Sequence, residues 1–229
     1  MVGCEATSLG VASAFLITLK MKRTNIYVDG FNLYYGALKN TPYKWLNLLE
    51  FCQRLLPKNN IHQIKYFSAK VSARPQDPDQ PVRQQTFWRA LKTLPNLSII
   101  EGSFLSHPVK MPLAESTKGK RVNPVWVMKT EEKGSDVNLA THLINDAHNK
   151  DFDIAVMITN DSDLLEPMRI VREELGLPVG IINPQQKPSF QLQSKASFIK
   201  SVRPWVLKSS QFPETLTDTD GLFSKPKAW

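Results

Sequence analysis

Apolar runs alternate with amphipathic helical patterns along most of the chain. The runs predicted to form strands are TNIYV (24–28), IHQIKYFSAKV (61–71), NLSIIEGSFL (96–105), VNPVWVMKT (122–130), DIAVMIT (153–159) and LPVGIIN (177–183). Between them, residues spaced as on one face of a helix occur in 45–56, 82–94, 136–150 and 163–176. Repeated strand–helix units predict an α/β fold with a mostly parallel sheet covered by helices.

Polar and proline-rich segments divide the remaining chain. Residues 72–81, SARPQDPDQP, contain three prolines and are predicted to be a loop, and the insert from 106 to 121 is predicted to be irregular. Met21 opens a basic lead into the first strand, so residues 1–22 are interpreted as an N-terminal extension. The main domain is then expected over 23–208, followed by a partly disordered tail over 209–229.

The net charge indicates a class of partner, and the cysteine content indicates a compartment. The chain has 29 Lys and Arg against 21 Asp and Glu, a formal net charge of +8, which favours a polyanionic partner. Its two cysteines lie far apart and lack the spacing of a zinc site, so we expect a cytoplasmic protein. The apolar run at 9–19 is too short to cross a bilayer, and no membrane association is expected. No nucleotide-binding GxGxxG or Walker A pattern occurs.

Acidic residues gather where predicted strands end. Asp29 follows the first strand, Asp161 and Asp163 follow DIAVMIT, and Asp136 starts the helix before that strand. In an open α/β sheet, reactive groups collect beyond the carboxyl ends of the strands. Any one of these aspartates alone is better explained as a helix cap or turn residue. Capping alone, however, does not require all four.

A divalent cation would relieve the repulsion among such acids. The available ligands are all oxygen, which suits Mg²⁺ or Mn²⁺. Such a site on a basic protein suggests hydrolysis of a phosphodiester bond, in which an uncoordinated aspartate takes a proton from water. Lys133, three residues before Asp136, is a candidate to hold the phosphate or the carboxylates.

Three segments in order resemble the blocks of NYN domains, the LabA-like branch of the PIN-like nuclease superfamily. They are IYVDGFNLYYG (26–36), EEKGSDVNLATHLINDA (131–147) and 151–182, which contains ITNDSDLLEP. The resemblance implies a Rossmann-like α/β/α sandwich and an acidic Mg²⁺ or Mn²⁺ site. It matches the catalytic and metal-binding positions to Asp29, Asp136, Asp161 and Asp163. It also implies supporting roles for Asn32 and Asn160.

Basic residues in three segments are candidates for a phosphate-binding track. The nucleic-acid-binding candidates are Arg83, Arg89, Lys120, Arg121, Lys195, Lys200 and Arg203. We expect the partner to be RNA rather than DNA, bound with strong salt dependence. Two alternatives stay open: a non-catalytic module that binds RNA or protein, and phosphoryl transfer on small substrates. The sequence also leaves open whether the protein forms a homo-oligomer.

Overall fold

The structure is a computed structural model that describes residues 21–113 and 124–229. The strands are β1 (Lys22–Asp29), β2 (Asn59–Ala69), β3 (Leu97–Met111), β4 (Val125–Lys133), β5 (Ile154–Ile158), β6 (Val179–Asn183), β7 (Phe198–Ser201), β8 (Thr215–Asp218) and β9 (Gly221–Ser224). The α-helices are α1 (Gly30–Leu33), α2 (Leu48–Leu55), α3 (Gln80–Lys92), α4 (Ser135–His148), α5 (Leu165–Arg169), α6 (Phe190–Lys195) and α7 (Pro204–Ser209). Two π-helical turns, Tyr34–Leu38 and Ile170–Glu174, extend α1 and α5, and a 3₁₀ turn, Ser162–Leu164, precedes α5.

Seven strands form one mostly parallel sheet in the order β4-β3-β2-β1-β5-β6-β7. Within this sheet, as the structure describes it, β3 and β4 pair antiparallel and the other neighbouring strands pair parallel. The six predicted strands and the mostly parallel sheet are therefore confirmed, and the architecture is an α/β fold of the PIN-like kind. In the described ranges, no helix is both long and apolar enough to cross a membrane.

The middle of β1 and the strands β5 and β6 are largely apolar because both faces of the sheet are covered. In β1, Ile26 and Val28 pack into one cluster with α2, α3 and α7, whereas Tyr27 packs into a second cluster with α4 and α5. This alternation follows from the two-residue period of a strand. It explains why the strand runs show no polar face.

The predicted irregular insert is wrong in its first part. Strand β3 continues from Leu97 to Met111, and its far half, from Ser103 onward, pairs with β4 instead of β2. The hairpin therefore extends beyond the carboxyl edge of the parallel strands. Pro108 is accommodated because β3 has one partner here, so its other side makes no ladder hydrogen bonds. Residues 114–123 lie outside the described ranges.

The expectation of a partly disordered tail also fails over the described residues 209–229. Strands β8 and β9 form an antiparallel hairpin there, and Phe212 and Phe223 are buried. Both rings pack on Trp45, whose indole N–H donates to the carbonyl oxygen of Pro213 at 2.8 Å. Burial of these aromatic rings stabilises a segment whose composition alone is polar.

Candidate acidic site at the carboxyl end of the sheet

Asp29 lies at the end of β1 and caps α1. Its Oδ1 accepts a hydrogen bond from the Asn32 N–H at 2.9 Å, and its Oδ2 accepts one from the Thr159 hydroxyl at 3.1 Å. The residue is only 6% exposed. Burial raises the pKa of Asp29 to about 6; the nearby charges of Asp136 and Asp161 add to the rise, and the two hydrogen bonds oppose it. The fold thus holds a carboxylate where its charge is disfavoured.

Asp136 reaches the same edge through the β3–β4 hairpin. Strand β4 returns beside Gly102 and turns into α4 at Gly134, whose φ of 98° is in the left-handed region that suits glycine. A Cβ on Gly102 would lie 2.7 Å from the Lys133 carbonyl oxygen, so only glycine allows this close approach. The first turn of α4 therefore begins at the edge of the sheet, with Asp136 in it.

Asp161 and Asp163 lie in the segment that leaves β5. The Oδ1 of Asp161 accepts from the Asp163 N–H at 3.0 Å and caps the 3₁₀ turn, while its own N–H donates to the Thr159 hydroxyl at 3.1 Å. Burial raises the pKa of Asp136, and the charges of Asp161, Glu132 and Asp163 raise it further. Asp136 is therefore close enough to the other three predicted acids to interact with their charges.

The predicted supporting asparagines connect the segments that carry the acids. The Asn32 Oδ1 accepts from the Asn160 N–H at 3.1 Å, which joins α1 to the end of β5. The Asn160 side chain donates to Gln185 and to the Lys187 carbonyl, and accepts from the Ser189 N–H. These bonds fix the loops after β5 and β6 relative to each other. Both residues thus orient the site without carrying charge.

Lys133 is less engaged with the acids than predicted. Its ammonium group lies 3.1 Å from a Glu131 oxygen and is largely exposed. Glu132, next to it, was missed by the sequence analysis: its Oε1 accepts from the Ser135 N–H at 3.1 Å, and its charge acts on Asp136. The sequence signal for it is the pair of glutamates, Glu131 and Glu132, directly before Lys133 and Gly134 in EEKGSD. Thr159, the last residue of the predicted strand DIAVMIT, bonds both Asp29 and Asp161.

The donor set suits a hard divalent cation, with a restriction. Burial and neighbouring carboxylates raise the pKa of Asp29 and of Asp136, which is the electrostatic condition that a cation relieves. Over residues 21–113 and 124–229, no three Asp, Glu, His or Cys side chains are close enough to enclose a metal together. The arrangement therefore fits an ion held by one or two carboxylates with water in its other positions, as is common for Mg²⁺.

The two predicted phosphate contacts in α3 are occupied by acidic partners. Arg83 donates from Nη2 to both oxygens of Asp77. Arg89 forms a two-pronged pair with Asp218, with both N–O distances 2.6 Å, and also donates to the Gly221 carbonyl. Its guanidinium lies 4.2 Å from the centre of the Phe223 ring. Arg89 thus secures the C-terminal hairpin to α3.

Three further predicted contacts, Lys195, Lys200 and Arg203, lie near the opposite edge of the sheet. Lys195 ends α6 and pairs with Glu173 at 3.0 Å. Lys200 on β7 and Arg203 before α7 are exposed and have no acidic partner in the described part of the chain. Lys120 and Arg121 lie outside the described residues. A single continuous track from α3 to β7 is therefore not formed by the described residues.

Comparison with known proteins agrees with this geometry. The sheet and its acidic edge define an α/β protein of the PIN-like kind. The chain belongs to the NYN domain family, whose profile matches residues 23–202. The more specific LabA-like assignment stays a prediction.

One curated protein and one solved structure are similar to this chain. It is 32% identical over 185 residues to 6-hydroxy-3-succinoylpyridine 3-monooxygenase HspA of Pseudomonas putida (strain DSM 28022 / S16). The match covers 71% of this chain and 59% of that protein, so the chain spans well under two thirds of the relative's length. A protein of unknown function, VPA0982 from Vibrio parahaemolyticus RIMD 2210633, has a similar fold, with a TM-score of 0.50 and 17% identity. That match covers 89% of this chain and 97% of the other.

Proposed function

We propose that this protein is a metal-dependent nuclease that hydrolyses phosphodiester bonds, with RNA as its substrate. One observation carries the proposal: carboxylates from three chain segments converge at the carboxyl edge of the sheet, and burial and mutual repulsion raise the pKa of two of them. In the described ranges, no Lys, Arg or His forms an ion pair with Asp29, Asp136, Asp161 or Asp163. A site that accumulates charge without internal compensation is suited to an external cation.

The side chains divide into holding and supporting groups. One or two of the carboxylates of Asp29, Asp136 and Asp161 would hold Mg²⁺ or Mn²⁺, which when bound polarises a phosphate and acidifies water. Thr159 and the Asn32 N–H fix both oxygens of Asp29, so that this carboxylate keeps one orientation. Asp163 is the more exposed acid, and no group among the described residues forms a hydrogen bond or ion pair with its carboxylate, which suits it to accept a proton from water.

Asp161→Asn tests the proposal with little structural disturbance. The amide oxygen still accepts from the Asp163 N–H, so the 3₁₀ turn is preserved while the charge is removed. We expect RNA cleavage with Mn²⁺ to fall by about 100-fold or more. The matched control is Asp151→Asn, the same substitution on an exposed residue before the opposite end of β5. Equal cleavage by the wild type and Asp161→Asn would show that the site is wrongly assigned and point to a contaminating nuclease.

A non-catalytic RNA- or protein-binding module is distinguished by the same preparations. It predicts RNA binding that weakens steeply with salt and survives Asp161→Asn, together with no metal-dependent cleavage by the wild type. Loss of cleavage with retained binding in the variant alone supports the nuclease.

The named relative favours a second enzymatic candidate, oxygenation of a hydroxylated pyridine. Monooxygenation inserts one oxygen atom of O₂ and reduces the other to water with two electrons from a reductant. Incubation with 6-hydroxy-3-succinoylpyridine, O₂ and a reduced nicotinamide cofactor would consume the reductant if this chain shares that activity. The absence of a GxGxxG pattern disfavours it, and we expect no consumption above a protein-free control.

A further inference from the structure

An aromatic cleft opens beside the acidic site, on the face of the sheet covered by α2 and α3. Gly30 and Phe31, directly after Asp29, form part of its wall, and Tyr66 and Ser68 at the end of β2 form another part. Its cavity volume is about 70 Å³, and its mouth is open to solvent. None of the predicted catalytic residues lines it.

Six aromatic rings line this cleft: Phe31, Tyr34, Tyr35, Tyr66, Phe87 and Trp229. Tyr34 and Tyr35 pack edge to face with ring centres 5.3 Å apart, and Phe87 packs in the same way against Trp229 at 5.7 Å. Tyr35 is nevertheless 52% exposed. Both tyrosines lie in the π-helical turn that extends α1, and such turns are rare and frequent at functional sites. Aromatic walls with an open mouth suit a planar ring as ligand.

Two cations add a preference for an anionic ligand. Lys44 lines the cleft and has no ion-pair partner in residues 21–113 or 124–229. Arg83 also lines it and uses Nη2 for Asp77, which leaves its other nitrogens available. Gln84, by contrast, is fully committed to the Val71 N–H and the Ala69 carbonyl and only shapes the wall. A ring that carries a phosphate matches this combination.

The cleft and the acidic site are in close contact through α1. A Cβ on Gly30 would lie 2.6 Å from Tyr66 Cζ and 2.8 Å from the Phe67 carbonyl oxygen, so this glycine lets α1 lie directly against β2. The Tyr66 hydroxyl is near enough to Asp29 that the carboxylate charge, after burial, raises the pKa of the phenol. A ligand in the cleft would therefore lie one strand away from the acids.

We propose that this cleft binds one unpaired nucleobase of the RNA substrate, with its ring against Tyr34 and Tyr35 and a phosphate near Lys44 and Arg83. The inference rests on the proposed nuclease function, because it places the nucleotide next to the bound base at the acidic site. It makes single-stranded RNA the preferred substrate, since a base inside a duplex cannot enter an aromatic cleft.

Calorimetric titration of the full-length protein with AMP, adenosine and nicotinate, in EDTA, tests the cleft without any cleavage. We expect AMP to bind, adenosine to bind more weakly and nicotinate to bind least. Tyr35→Ala should weaken AMP binding about tenfold, the effect of losing one stacked ring, while Tyr35→Phe should stay within about twofold. Lys44→Gln should weaken AMP binding but leave adenosine unchanged. Trp205→Ala, which removes an exposed ring outside the cleft, is the control.

The outcomes separate this inference from the proposed activity. AMP binding that depends on Tyr35, in a protein that cleaves no RNA, supports the cleft and removes the nuclease. Cleavage that depends on Asp161, together with AMP binding that ignores both Tyr35 and Lys44, retains the nuclease and overturns the cleft. Tight nicotinate binding without AMP binding also overturns it, and assigns the cleft to a free heterocycle.

Discussion

Helix α4 carries two aspartates in opposite surroundings. Asp136 is in its first turn, at the acidic edge, and Asp146 is ten residues later, roughly 15 Å along the helix. Asp146 is 2% exposed, and its Oδ2 accepts from the Lys65 ammonium at 2.6 Å and from the Tyr27 hydroxyl at 2.7 Å. Asp146 is thus neutralised by the fold, whereas Asp136 faces other acids.

This difference separates a charge that stabilises the fold from the charges of the proposed site. The pair formed by Lys65 and Asp146 ties α4 to β2 and, with Tyr27, to β1, so it satisfies itself and offers nothing to a ligand. The acids around Asp29 repel one another and lack such a partner in the described ranges. Uncompensated charge at a strand end, rather than acidity alone, is what marks the site.

Breaking the compensated cluster should produce the largest loss of stability. Asp146→Ala leaves the Lys65 ammonium buried without a counter-ion, and we expect the free energy of unfolding in urea at pH 7.5 to fall by about 3–5 kcal/mol. Replacing both partners, with Lys65→Met and Asp146→Leu, should recover most of that loss because no isolated charge remains. Asp151→Asn should change it by less than about 0.5 kcal/mol. An equal loss in the single and double variants would contradict the assignment.

Removing a charge from the acidic site should raise the free energy of unfolding instead of lowering it. The pKa of Asp29 is about 6 in the folded protein against 3.8 ordinarily, so between these values the folded state binds more protons than the unfolded state. Unfolding free energy therefore falls as pH rises from about 4 to 6, and the penalty is complete at pH 7. In EDTA at pH 7.5, Asp29→Asn should stabilise the protein by about 1–2 kcal/mol and abolish cleavage.

The pH dependence and the cation separate this effect from simple repacking. At pH 4 the wild-type carboxyl is mostly protonated, so the gain from Asp29→Asn should nearly vanish. Mn²⁺ at tenfold its dissociation constant should stabilise the wild type by about 1.4 kcal/mol and the variant by much less. A variant that is destabilised equally at pH 4 and pH 7.5 would show that Asp29 serves mainly as a cap.

Local patterns predicted the parts of the fold that depend on sequence neighbours. The apolar runs identified the strands because burial on both faces leaves few polar residues, and strand ends then identified Asp29 and Asp161. The pairing of Lys65 with Asp146 was not predicted, because 81 residues separate the two and each looks like an ordinary surface charge. The β3–β4 hairpin was missed because the Pro, Lys and Gly residues between 106 and 121 are typical of an irregular segment.

The aromatic contacts also join residues that lie far apart in the sequence. Trp45, Phe212 and Phe223 come together only in the folded chain, so a polar composition after residue 208 concealed an ordered hairpin. The aromatic cleft likewise combines α1, β2, α3 and the last described residue. No motif or spacing marks such a surface, although the tyrosine pair in FNLYYG lies in the block that carries the family resemblance.

Among the cations, the same distinction between paired and unpaired charge should give the smallest effects. Lys200→Gln removes an exposed ammonium that has no acidic partner in the described residues. A plot of log affinity for single-stranded RNA against log salt concentration should then fall less steeply, by about 0.7 in slope. Arg89→Gln should leave that slope unchanged and slightly lower thermal stability, because Arg89 is bound to Asp218. Fluorescence anisotropy between 50 and 200 mM NaCl measures both variants. A reduced slope for Arg89→Gln would mean that RNA competes with Asp218 for the guanidinium, and α3 would then belong to the binding surface.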